Sequence, residues 1–265
     1  MGILDDILVM KRDEVTLLQQ PQTRDAIRAA ALAAPAPRDF AGALRRDDGG
    51  LAVIAELKRR SPSKGDLAPD LDAATTAAEY ERGGASALSV LTDGPFFGGR
   101  VADLEAARAA TALPALRKDF TIAEIQLLEA RAVGADAVLL IVAALDAPTL
   151  RDLHGIATDL GLAVLVEAHD AAEVDRALDV GARIVGVNSR SLQTFAEDLA
   201  IAERLAARLP SHVIRVAESA VRSVADAERM AAAGFDAVLV GEALVRTDDP
   251  VALCRGISAA QVHKS

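Results

Sequence analysis

The chain has 265 residues, 51% of them hydrophobic, which is enough for one large α/β domain or two small ones with an ample core. Its formal net charge is −10, from 39 acids against 29 bases, with no basic cluster beyond Lys58, Arg59 and Arg60; general nucleic-acid binding is disfavoured, and an anionic ligand would need local positive charge. Aromatic residues make up 3% with no Trp, leaving little for base-stacking platforms or a membrane-interface belt.

At the start, Ile3, Leu4, Ile7 and Leu8 share one helical face, and a second helical stretch is expected around Arg24 to Leu32. About 48 residues thus precede the first expected strand. They can form a plug under the fold, a surface helix, or a lid over a site. Residues 1 to 10 carry Asp5 and Asp6 and no basic n-region, so a secretory signal is not expected.

Eight short apolar runs follow: Leu51 to Leu57, Ala85 to Leu91, Leu113 to Leu116, Ala137 to Leu145, Leu162 to Val166, Ile184 to Val187, Val213 to Ala217 and Ala237 to Val240. Near-continuous Val, Ile, Leu and Ala over so few residues is what parallel strands buried on both faces require. The segments between them carry helix punctuation. Thr121 with Glu124, Asp170 with Glu173 and Ser223 with Asp226 have the capping pattern, and Gly83-Gly84, Gly134, Gly161, Gly181 and Gly234 stand where a left-handed C-cap is wanted. No Gly-x-Gly-x-x-Gly turn follows Leu57, and no linker divides the chain, so eight units in roughly 200 residues predict a single (β/α)8 TIM barrel spanning 1–265, with 1–48 as an N-terminal helical extension. The longest apolar run, Ala137 to Leu145, is too short to cross a membrane. Cys254 cannot form an internal disulfide and is expected buried and inert in a terminal helix from Val251 to Ile257, as suits a reducing, cytoplasmic compartment.

In such barrels chemistry sits at the carboxyl ends of the strands. Lysine is scarce, 5 against 24 arginines, and Lys58, Lys64 and Lys118 fall where apolar runs break off, while Lys11 and Lys264 lie near the termini. Arginine cannot release its proton near neutrality and a partly desolvated lysine can, so a proton-donating site asks for lysine. Residues two apart share a strand face, so Glu56 with Lys58, Lys118 with Phe120 and Asn188 with Arg190 can enter one cavity, joined by Glu167 and Glu218. Structural ion pairs at the rim, Glu56 with Lys58 or Glu218 with Arg190, are the plainer alternative for each pair. His169 reads as a rim residue, and His154, His212 and His263 lack metal-ligand spacing. Small residues after the last two strands, Ser219-Ala220 and Gly241, can receive a phosphate, with Ser61, Lys64 and Gly65 closing from the first loop.

These residues also carry a resemblance. AELKRRSPSKG at 55–65, LSVLTD at 88–93 with FFG at 96–98, LRKDF at 116–120, VEAHD at 166–170, GVNSRSL at 186–192, VAES at 216–219 and the opening ILDDIL at 3–8 resemble the signature segments of indole-3-glycerol-phosphate synthase. The resemblance implies a cofactor-free lyase of tryptophan biosynthesis that converts 1-(2-carboxyphenylamino)-1-deoxyribulose 5-phosphate to indole-3-glycerol phosphate, with loss of carbon dioxide and water. It further implies Lys118 as general acid, Lys58 against the substrate carboxylate, Glu56 as its orienting partner, Glu167 as acid/base, and Asn188 and Glu218 on substrate hydroxyls. Phe97 and Phe120 would flank the ring, with Arg190 and Leu192 in the loop beside them. Ser61 and the backbone at Ser219, Ala220, Gly241 and Glu242 would hold the phosphate, and the extension would cover the mouth. No metal, nucleic acid or membrane is expected, and the chain is expected to act as a monomer or weak dimer. Two departures stand out: Ala220 replaces the family's usual Gly, costing roughly 1 kcal/mol if its φ is positive, and the loop 93–100 is richer in Gly and Pro than the family's. Two other readings remain at this point, a Schiff-base aldolase using Lys118 and a phosphate-binding barrel without catalysis.

Overall fold

The computed structural model describes residues 2–190 and 196–262. Eight parallel strands close in sequential order into a barrel: β1 (Ala52–Leu57), β2 (Ala87–Leu91), β3 (Ala115–Lys118), β4 (Ala137–Ile141), β5 (Ala163–Ala168), β6 (Ile184–Asn188), β7 (Ile214–Glu218) and β8 (Ala237–Val240), with β8 pairing back onto β1. Helices alternate with them, and the expected (β/α)8 fold with preceding helices is found.

Strand alternation divides the interior. In β1, Val53, Ala55 and Leu57 face the outer layer between strands and helices, whereas Ile54 joins Leu116, Leu139, Leu165, Ile184, Val216 and Leu239 inside the barrel. Both layers are apolar, which is why every strand reads as a continuous hydrophobic run.

Several boundaries differ from expectation, each for a local reason. The third strand starts at Ala115 and not Leu113, because Pro114 has no N–H for the ladder; its carbonyl instead accepts from the Leu88 N–H at 2.9 Å. The fourth stops at Ile141, and Val142–Ala144 turns as a short 3₁₀ helix. Thr121 is not a helix cap: the helix begins at Glu124 behind Ala123, and the Gln126 side chain accepts from the N–H groups of Ile122 (2.8 Å) and Ala123 (3.1 Å). Asp170 and Ser223 do cap their helices, and Gly84, Gly134, Gly161, Gly181 and Gly234 all have positive φ, whereas Gly83 does not.

The N-terminal segment serves both ends of the barrel. Helix α1 (Ile3–Leu18) lies across the carboxyl ends of the strands, where Ile3, Leu4 and Ile7 line the mouth. Helix α2 (Pro21–Ala33) packs along the outside against the helix Glu124–Ala132. The short helix α3 (Phe40–Ala43) inserts Phe40, with Leu44 just beyond it, against the inward residues at the strands' amino ends. Lid and plug are therefore both present, supplied by different parts of one extension. Among the described residues, no helix is long and apolar enough to cross a membrane.

Candidate active site

All the expected site residues that can be followed line one cleft at the barrel mouth: Glu56, Lys58, Ser61, Phe97, Lys118, Phe120, Glu167, Asn188, Arg190, Glu218, Ser219, Ala220, Gly241 and Glu242. Leu192 lies outside the described residues. Lys64 does not line the cleft; it sits at the tip of the small hairpin pairing Arg60–Ser61 with Gly65–Asp66.

Register sets the inner ring. Asn188 stands opposite Glu218 and Glu167 opposite Gly186 in adjacent parallel strands. Two glycines make the crowding feasible. A Cβ at Gly186 would lie 1.9 Å from Glu218 Oε1, and one at Gly241 would lie 2.4 Å from Glu56 Oε1 and 3.1 Å from Lys58 Nζ. Neither position admits a side chain without displacing a carboxylate.

Two lysines serve three carboxylates. Lys58 Nζ lies 2.8 Å from Glu56 Oε1, and Lys118 Nζ lies 3.4 Å from Glu167 Oε2 and 3.6 Å from Glu218 Oε2. Ser89 Oγ donates to the other Glu56 oxygen at 3.2 Å. Burial works against the Lys118 charge, but Glu167, Glu218 and Glu56 outweigh it and hold the ammonium protonated well beyond the ordinary lysine range. Glu56 and Glu167 stay ionised: burial opposes this, and Lys58 and Lys118 for the first, Lys118 and His169 for the second, lower their pKa values. Glu218 is the opposite case. Burial and the Glu167 charge raise its pKa well above the ordinary value, and neither of its oxygens accepts from a donor, so a proton on Glu218 has Glu167 as its neighbour. Acids and bases of contrasting proton affinity thus meet in one water-restricted cleft, equipment for moving protons on and off a bound molecule.

On one side of the cleft the Phe97 and Phe120 rings sit 6.1 Å apart, tilted by 37°, forming an aromatic wall; Phe96 is not part of the lining. On the other, Ser219 and Ala220 both adopt left-handed backbone, φ 64° and 62°. The chain turns sharply there, the Val221 N–H donating back to the Ser219 carbonyl at 2.8 Å. Ala220 therefore occupies the strained conformation that its replacement of Gly implied. Ser61 Oγ is buried and unpartnered across from it, a donor aimed at nothing of the protein's own.

Some partners differ from expectation. Arg190 pairs with Glu197, which also binds Arg222, and not with Glu218; its Nη1 donates to Ser63 Oγ at 2.9 Å, tying the loops after β6 and β1 together. Asn188 Oδ1 accepts from Ser219 Oγ at 2.8 Å, leaving its amide free to donate to Glu167. Among the described residues, no cluster of His, Cys, Asp and Glu side chains is arranged to hold a metal ion.

One buried charge of the mouth was given no role by sequence reasoning. Lys11 of α1 is only 2% exposed, and its ammonium lies 2.8 Å from Asp119, 3.0 Å from Asp93 and 2.7 Å from Glu14. Asp119 also accepts from Thr92, and Arg117 Nη2 lies 3.5 Å from it and 2.7 Å from Glu129. Lys11 therefore clamps α1 over the mouth onto the loops after β2 and β3, one residue from Lys118. The available signal was its spacing: Ile7, Lys11 and Val15 recur every four residues on the helix face that is buried.

Comparison with known proteins agrees with this arrangement. The sequence model of the family described as indole-3-glycerol phosphate synthase matches residues 4–257. Relatives bearing that name include one from Aromatoleum aromaticum, 52% identical over 250 residues (94% of this chain, 95% of the relative). Another, from Micrococcus luteus, is 51% identical over 269 residues (99% of each chain). Among solved structures, 3-hexulose-6-phosphate synthase from Salmonella typhimurium superposes with a TM-score of 0.63 at 18% identity, covering 78% of this chain and 97% of its own. Thiamine phosphate pyrophosphorylase from Pyrococcus furiosus gives 0.59 at 18% identity, covering 79% and 94%. At such identities these two likenesses concern the barrel fold alone.

Proposed function

The chain belongs to the indole-3-glycerol phosphate synthase family, and on that premise we propose a role for each residue of the cleft. It is a carboxy-lyase of tryptophan biosynthesis, so its substrate joins a carboxylated aromatic ring to a phosphorylated open-chain sugar. Ring closure requires an aromatic carbon to attack the sugar carbonyl, whose oxygen gains negative charge as the bond forms.

Lys118 is the general acid. Its ammonium stays charged beside Glu167 and Glu218, so the proton is in place, and the negative charge growing on that oxygen draws it off although the same carboxylates hold it tightly. The charge on Lys118 argues against an imine-forming aldolase, which needs the neutral amine. Lys58, oriented by Glu56, meets the substrate carboxylate and stabilises it until carbon dioxide leaves. Glu167, ionised, takes the ring proton during dehydration, while Glu218 in its protonated form and Asn188 hold the hydroxyls. The aromatic ring lies along Phe97 and Phe120. The phosphate sits against the backbone of Ser219 and Ala220, with Ser61 Oγ and the backbone of Gly241 and Glu242 as further donors, and Arg190 closes the side. Phosphate binding fixes the reacting atoms in attack geometry.

The observation that carries this reading is the position of Lys118 between two buried carboxylates at the centre of the cleft. We further propose a monomer working in the cytoplasm: every named side chain comes from one chain, and a doubly charged phosphate ester does not cross a membrane unaided. Adding 1-(2-carboxyphenylamino)-1-deoxyribulose 5-phosphate to the pure protein should produce indole fluorescence. A trace indistinguishable from the protein-free control would overturn the assignment.

A further inference from the structure

His169 is not in the lining of the cleft, yet it is built against it. It follows β5 directly, and its Nε2 lies 3.4 Å from Glu167 Oε1, buried and without a hydrogen-bond partner. Its other ring nitrogen, Nδ1, lies 3.0 Å from Glu173 Oε2. Glu173 is itself fixed. The same oxygen accepts from the His169 backbone N–H at 2.8 Å, and the Glu173 N–H donates to the Asp170 cap at 2.9 Å. The capping pattern visible in the sequence therefore does a second job: it holds a carboxylate behind the ring, which keeps Nδ1 a donor and points Nε2 at Glu167.

We propose that His169 is a positioning residue for Glu167: as an imidazolium bridging Glu173 and Glu167, it holds Glu167 ionised and aimed into the cleft. The need follows from the charge inventory of the mouth. Lys58 is engaged by Glu56, and Lys118 is shared between Glu167 and Glu218. When Lys118 gives its proton to the substrate, Glu167 loses the counter-charge on its cleft side while still buried. His169 supplies a second one from outside the reacting atoms, so Glu167 stays a carboxylate for the later proton removal.

The surroundings favour the charged ring. Burial opposes it, but the hydrogen bond to Glu173 and the charges of Glu167 and Glu173 outweigh burial and the opposing Lys118 charge, lifting the imidazole pKa above its ordinary value. The 3₁₀ turn packed on the same helix brings only Val142, Ala143 and Ala144, and Arg190 beyond β6 is engaged by Glu197.

This inference rests on Glu167 as the acid/base, and the test separates the two. Single-turnover rates and their pH dependence are measured for the wild type, His169→Asn, Glu173→Gln, Glu167→Gln and the double variant H169N/E167Q. Loss of the imidazolium lets the Glu167 pKa rise, so in H169N the acid limb moves up by about one pH unit: the rate at a pH on that limb falls roughly tenfold while the neutral plateau and KM change little. E173Q, which keeps the acceptor but loses the charge, shifts the limb the same way by less. The double variant matches E167Q alone. An unshifted acid limb in H169N, whatever its plateau rate, or a further loss on top of E167Q would overturn the inference. A near-normal rate in E167Q would instead overturn the role of Glu167 itself.

Discussion

The two ends of the barrel hold buried carboxylates in opposite states. At the amino end Asp136 is fully buried and fully served: it accepts from the Arg38 N–H at 2.7 Å, the Ala115 N–H at 2.8 Å and the Arg108 guanidinium at 2.9 Å. At the carboxyl end Glu218 is 1% exposed, neither oxygen accepts from a donor, and its cation, Lys118, stands 3.6 Å off. The contrast extends beyond one pair. Among the described residues, the buried polar side-chain atoms without a hydrogen bond belong to Ser61, His169, Ser189 and Glu218 at the mouth, to Asp93, whose oxygen is ion-paired with Lys11 instead, and to Arg131 alone elsewhere. Unmet polar groups cost stability, so their concentration at one end marks where the chain keeps bonding capacity for a ligand.

The largest expected effect on stability is therefore at the closed end. Phe40→Ala empties a position that is 1% exposed and packed on the strands' amino ends, and denaturant unfolding should show a loss of about 3–5 kcal/mol, with KM unchanged for the protein that remains folded. A variant as stable as the parent would mean that α3 does not plug the barrel.

Lys11→Met probes a place where the mouth is satisfied. Removing the ammonium leaves Asp93 and Asp119 buried beside an apolar chain, which should cost roughly 3 kcal/mol and raise KM as α1 loosens over the cleft. The sign with pH follows from the two shifts. Burial opposes both charges, yet Arg117 and Lys11 depress the Asp119 pKa and Asp119 with Glu14 raises that of Lys11. The Asp119 contribution is present above its unfolded pKa of about 3.9 and is lost as pH falls through the lower folded value. That of Lys11 is present below about 10.4 and is lost only as pH rises through the higher folded value. The stability gap between parent and variant should thus be flat from about pH 5 to 9 and close in acid. A gap that widens in acid would contradict the clamp.

Legibility in the sequence followed the same divide. Apolar runs revealed all eight strands because both barrel layers are hydrophobic, and strand alternation brought Glu56, Lys58, Lys118, Asn188 and Arg190 to one cavity before any coordinates. Hidden features were those that depend on which element docks where. Lys11 lay on the apolar face of α1, but a lysine near the terminus reads as exposed until the partner aspartates at 93 and 119 are seen beneath it. Arg190 found Glu197, seven residues on, because an antiparallel backbone bridge sets the two side by side.

The smallest effect is expected at the turn of Ser219 and Ala220, the proposed phosphate site. Ala220 at φ 62° carries left-handed strain of about 1–2 kcal/mol, partly offset in Ala220→Gly by the freer unfolded chain. A net gain of about 0.5 kcal/mol is expected in urea unfolding, with substrate affinity kept or improved. A clear loss of stability would show that the turn is unstrained.

The central claim is that the unsatisfied mouth does the chemistry and the satisfied floor does the holding, with Lys118 as the acid. Turnover of the carboxyphenylamino-deoxyribulose phosphate by Lys118→Ala, followed by indole fluorescence beside a thermal melt, tests it most directly. The account predicts a fall of roughly a hundredfold or more in kcat with the fold retained; a folded variant turning over at near the parent rate would contradict it.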